Sequence, residues 1–100
     1  MNAETNSAVA WGEARYPLLF PVPVEGGAQI SELVFREPDG EALEAIDELG
    51  IKEGPDEQPS IKQINMLISI LSGQPIDIVR KMNKRDIEGA SKAFAPLLGE

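Results

Sequence analysis

The spacing of apolar residues changes at Arg36-Glu37-Pro38. Before this triplet, in "ISELVF", Leu33 and Phe35 share one face of an extended chain and Ile30 and Val34 the other. After it, in "EALEAIDEL", Leu43, Ile46 and Leu49 recur three apart, which is the spacing of a helix. Pro38 biases Glu37 toward extended geometry and suits the start of the helix that follows, so the triplet reads as a corner, architectural first and a recognition element second. A strand that turns directly into an amphipathic helix packs that helix back on its own sheet. The expected class is α+β: an N-terminal β-hairpin followed by three or four packed α-helices.

The hairpin is expected in "YPLLFPVPVEGGAQISELVF", where two apolar runs flank Gly26-Gly27 and both glycines tolerate the positive φ of a tight turn. The first run contains Pro17, Pro21 and Pro23. Proline cannot donate to a ladder, so this run belongs at a sheet edge. The mixed pattern of the second run suggests partial cover on both faces. A lone hairpin is marginal in water and needs helices or another chain against it.

Helix one is expected from Pro38 or Asp39 to Leu49, capped by Asp39, with Glu41 at its positive end and Gly50 as its stop. A polar loop, "GIKEGPDEQPS", separates it from helix two. Ser60 and Gln63 have capping-box spacing, and Ile61, Ile64, Leu67, Ile68 and Leu71 then follow a helical period up to Gly73. Met66 and Ile70 make this helix apolar nearly all round, so it is either buried on several sides or offers an apolar side to a partner. Pro75 suits the start of a short third helix. Asn83 can cap a fourth, with Ile87, Ala90, Phe94 and Leu97 or Leu98 on one face and Pro96 limiting its end.

One hundred residues make one domain with a tail. Residues 1–15 are expected as a mobile N-terminal tail and 16–100 as a single small α+β domain. Trp11, alone in that tail, reads as a side chain lying on the domain surface, with a partner anchor as the alternative. The N-terminus lacks a basic region followed by an apolar stretch, so no secretory signal is expected.

The net charge is −8, and it is uneven. Residues 1–60 hold thirteen acidic against three basic side chains, and residues 61–100 hold four against six. An acidic chain repels nucleic acid and anionic membranes, so neither is an expected partner. There is no cysteine and no histidine, which removes disulfides, thiolate nucleophiles, Ser-His-Asp triads and nearly all zinc sites. No enzyme, cofactor or metal site is expected. Glu41, Glu44, Asp47 and Glu48 read as a solvated helix face rather than an acid–base or cation site. "RKMNKR", residues 80–85, is a basic cluster that reads as solvated or paired with the acidic half. Its alternatives are a docking site for an acidic partner and part of a helix-turn-helix.

The order of these features resembles the small tail assembly chaperones of long-tailed phages, the group found in contractile-tailed phages and prophages. The likeness is carried by Ile30 to Pro38, a strand ending in Arg-x-Pro, and by Leu67 to Asp86, where "LISILSG" leads to a short helix and Arg-Asp. With helix one it spans roughly residues 16–98. One departure is "DGEA" where family members often carry Thr or Ser and Asp, which bears on the helix cap. The resemblance implies a non-enzymatic chaperone in the cytoplasm of the bacterial host. Its implied partner is the tape measure protein, which it keeps soluble during tail tube assembly, with the tail tube protein as a second partner and self-association expected. On that footing the candidate partner-binding residues are Ile64, Leu67, Ile68 and Leu71 on helix two, with Arg80, Lys81, Lys84 and Arg85 as a basic steering cluster. Arg36, Pro38, Gly73 and Asp86 are the structural motif positions. The alternatives are a structural tail or virion component and a helix-turn-helix DNA-binding regulator.

Overall fold

The computed structural model describes residues 9–52 and 54–99. They form an antiparallel pair, β1 (Glu13–Pro23) and β2 (Gln29–Arg36), followed by helices α1 (Gly40–Asp47), α2 (Ile61–Ser72), α3 (Ile76–Val79) and α4 (Lys84–Phe94). A 3₁₀ turn, Ala95–Leu98, follows α4. The α+β class with an N-terminal hairpin and packed helices is therefore what the chain adopts. Strand β1 begins at Glu13, so residues 13–15 belong to the sheet rather than to a tail. Gly12 extends the pairing: Glu37 N donates to Gly12 O at 3.0 Å, and Gly12 N donates to the Glu37 carboxylate at 2.7 Å. Of the tail expected at residues 1–15, residues 1–8 lie outside the described residues.

Local signals set most element ends. Gly26 and Gly27 both take φ of 83°, and Val24 N donates to Ala28 O to close the hairpin. Asp39 caps α1 by accepting from Ala42 N at 2.8 Å. Ser60 and Gln63 form both bonds of a capping box at the start of α2, and Gly73 ends it in the left-handed region at φ 79°. Asn83 caps α4 by accepting from Arg85 N.

One face of the hairpin carries the core. Leu33 and Phe35 of β2 and Leu18 and Val22 of β1 pack against Leu67, Ile68 and Leu71 of α2 and Ala90 and Phe94 of α4. Phe35 and Phe94 meet edge to face with ring centroids 5.5 Å apart, an arrangement worth about 0.5–1.5 kcal/mol beyond area burial. The other face is open. Glu13, Arg15, Glu32 and Arg36 are exposed there, and Arg15 bridges Glu32 at 3.2 Å. The expected partial cover on both faces is thus corrected to cover on one.

Ile30 nevertheless packs against the core, although its spacing in β2 sets it opposite Leu33 and Phe35. A bulge explains this. Pro17 pairs with Glu32 and Val22 with Ile30, so four residues of β1, Leu18 to Pro21, face only Ser31. The excess is odd, and an odd slip exchanges the faces of the two strands relative to each other.

The bulge leaves backbone donors without ladder partners, and a side chain from α4 takes them. The Asp86 carboxylate accepts from Leu19 N through Oδ1 at 2.8 Å and from Phe20 N through Oδ2 at 2.9 Å. Its Oδ1 also accepts from the Tyr16 hydroxyl at 2.9 Å. Asp86 is fully buried, lies in the first turn of α4 and so benefits from the helix's positive end. A buried carboxylate is tolerated because three donors replace its water.

Candidate binding surfaces

Helix α1 is eight residues long and none of them is buried. Its apolar stripe faces α2 but is only partly covered, and Leu43 is 52% exposed. Its C-terminal end is tied to α2 by Gln63, whose side-chain amide donates to Leu49 O at 2.9 Å. Between α1, the loop before α2, and the end of α4 lies a groove of about 770 Å³. Its apolar walls are Leu43 and Ile46 from α1, Ile51 from the loop, Ile64 from α2, and Phe94 and Leu98 from the C-terminal end. Asp47, Lys52 and Glu57 line it, and Glu44 on α1 and Glu48 at its C-cap are exposed. The result is an open apolar groove with a mainly acidic rim.

A second apolar surface stands on the bulge. Leu19 is 63% exposed and Phe20 43%, because their amides turn inward to Asp86 while their side chains stay out. The Arg85 guanidinium lies over the Phe20 ring at 5.9 Å from its centroid. Arg80, Lys81 and Lys84 are exposed on the same α3–α4 corner. This is an apolar knob with the Arg85 guanidinium against it. It sits at the N-terminal end of α4, whereas Phe94 reaches the groove at the other end. At 1.5 Å per residue, Asp86 and Phe94 are separated by about 12 Å along the helix axis.

The structure redistributes the residues expected to bind a partner. Leu67, Ile68 and Leu71 are 4%, 0% and 4% exposed and belong to the core, because the hairpin and α4 close over α2. They are not a free surface, although Leu67 contributes its edge to the groove. Ile64 is half-buried and lines the groove. The surface that remains open is instead on α1, the C-terminal turn and the bulge. Arg80, Lys81, Lys84 and Arg85 are exposed. The expected pairing of this cluster with the acidic half is not found among the described residues; Arg80 pairs locally with Asp77 at 3.7 Å.

The motif positions hold architecture. Pro38 precedes the Asp39 cap, Gly73 supplies the left-handed cap of α2, and Asp86 joins α4 to the bulge. Arg36 lies on the open face opposite Glu13 and lines a cleft of about 520 Å³ with Trp11, Glu37, Pro38, Ala42 and Gly73. Trp11 is 64% exposed at the mouth of that cleft. The candidate recognition helix of a helix-turn-helix, α3, is only four residues long, too short to lie in a groove of DNA. Glu41, Glu44, Asp47 and Glu48 are all exposed. Among the described residues no group of three or more Asp or Glu side chains is placed to hold a metal ion, and no helix is long and apolar enough to cross a membrane.

Sequence reasoning missed the bulge and the knob it presents. The one local sign was the pair Pro17 and Pro21, which bracket Leu18 to Phe20 and remove ladder donors on both sides of them.

Compared with family models, characterised proteins and solved structures, the chain matches none.

Proposed function

We propose that this protein is a phage tail assembly chaperone that binds the tape measure protein in the cytoplasm of the bacterial host and keeps it soluble during tail tube assembly. The observation that carries the reading is the open apolar groove beside α1, joined to the resemblance of residues 16–98 to that family. A tape measure protein is long, helical and prone to aggregate. An amphipathic helix from such a chain lays its apolar stripe into a groove of this kind, with anchors three and four residues apart. The acidic rim and the net charge of −8 keep the complex soluble and disfavour nucleic acid and anionic membranes as occupants. The role is binding rather than catalysis: the groove is walled mainly by apolar side chains, with Asp47, Lys52 and Glu57 among its lining.

The test is co-expression with the long chain encoded in the same tail gene cluster. That chain is expected to be insoluble alone and soluble with this protein, and the two are expected to co-purify. Recovery of this protein in purified particles at fixed stoichiometry, without an effect on client solubility, would instead support the structural virion component.

A further inference from the structure

We infer that this protein assembles with itself head to tail, the β1 bulge of one copy docking in the α1–α2–α4 groove of the next. Both halves of a complementary pair are present on one chain. The bulge presents Leu19 and Phe20, and the groove presents Leu43, Ile46 and Leu98. Exposed apolar residues grouped in this way mark interaction sites rather than scattered surface.

Charge selects the orientation. The bulge lies beside Arg85, whereas the groove is lined by Asp47 and Glu57 against one lysine, Lys52. A two-fold contact centred on either patch would bring groove to groove or bulge to bulge and so oppose like charges. A bulge-to-groove contact brings opposite charges together around an apolar centre. Because the two patches lie at opposite ends of α4, a copy that uses one leaves the other free. When each copy gives its bulge to one neighbour and its groove to another, the contact is heterologous and propagates into an open chain or a ring.

The bulge suits this role because its conformation is already fixed. Asp86 holds the amides of both Leu19 and Phe20, so presenting their side chains costs little further ordering. A two-residue knob buries less than a standard stable interface, so the assembly is reversible and depends on concentration. Self-association and client binding share the groove. An unoccupied copy is covered by its neighbour, and an apolar client helix displaces it. This last consequence rests on the proposed chaperone role, but the self-contact itself does not.

Sedimentation velocity on the full chain, without client, tests it through two variants at exposed positions. Phe20→Asp alters the knob and Leu43→Lys alters the groove; unchanged circular dichroism and Tm verify that both remain folded. The wild-type chain is expected to grow beyond a dimer with concentration and to dissociate as salt rises. Each variant alone is expected to associate at least about tenfold more weakly. A mixture of the two is expected to form a 1:1 dimer that grows no further, because one variant keeps an intact groove and the other an intact knob. A wild-type chain that stays monomeric at all concentrations overturns the inference. So does a variant that assembles like wild type, or a mixture that stays monomeric while wild type assembles. None of these results touches client capture, which is read separately by co-expression.

Discussion

Asp86 and Tyr16 meet at 2.9 Å across 70 residues of sequence, the carboxylate accepting from the phenol. The same carboxylate holds two amides of the β1 bulge, so a helix near one end of the chain defines the shape of a strand near the other. Removing it should be costly. Asp86→Ala strands two amides and a hydroxyl in a part-buried place, and a loss of about 3 kcal/mol is expected from the cost of unmade hydrogen bonds. That is a large part of the about 5–15 kcal/mol typical of a domain. Asp86→Asn keeps the volume but retains only one accepting oxygen, so it should fall between alanine and wild type. Urea unfolding of the three proteins checks the order.

Tyr16 gives this contact a pH signature. Burial, then the hydrogen bond to Asp86 and its negative charge, hold the phenol's pKa above the ordinary value of 10.0. The folded state therefore keeps the proton more tightly than the unfolded chain. The resulting stability is fully present below pH 10 and is lost as pH rises through the folded pKa. Tyr16→Phe should cost about 1 kcal/mol at neutral pH. It should also lose stability less steeply than wild type above pH 10, which paired unfolding curves across the alkaline range would show.

Gly89 of α4 is where the Tyr16 ring rests. A Cβ at this position would overlap the ring and its hydroxyl. Helix propensity alone favours alanine over glycine by about 0.8–1.0 kcal/mol. Gly89→Ala is nevertheless expected to lower Tm, because the ring must move off α4 and pull its hydroxyl from Asp86. A rise in Tm would show that Tyr16 does not need this seat.

Leu67→Asp should damage the fold far more than Glu44→Ala. Leu67 is 4% exposed in the core, and burying an unpaired carboxylate there costs several kcal/mol, roughly 3–5. Glu44 is exposed, where changes usually stay within about 0.5 kcal/mol. Thermal unfolding compares them directly, and amide exchange should show protection in β2 and α2.

What was legible in the sequence was local. The Gly26-Gly27 turn, the Ser60–Gln63 box, the caps at Asp39 and Asn83 and the stop at Gly73 each depend on residues within a few positions of one another. The α+β class followed from the change of period at Pro38. The bulge was not legible, and although the resemblance marked Asp86 as a motif position, its role as the bulge's anchor was not, because it acts on residues 66–70 positions away. The candidate binding surface was misplaced for a related reason. Periodicity shows that α1 and α2 each have an apolar stripe but not how well each is covered. The hairpin and α4 bury Leu67, Ile68 and Leu71, while the short α1 leaves Leu43 open.

The groove's role as the client site is tested most directly by co-purification of the tape measure chain with wild type and with Leu43→Asp, at matched expression. Leu43 is half exposed, so the variant should fold like wild type while placing a carboxylate among the apolar anchors of the groove. The predicted result is a client that is soluble and co-purifies with wild type, and that returns to the insoluble fraction with Leu43→Asp. A client recovered equally with both proteins would contradict the groove as its site. A client equally insoluble with wild type, or soluble with no partner at all, would contradict the chaperone role itself.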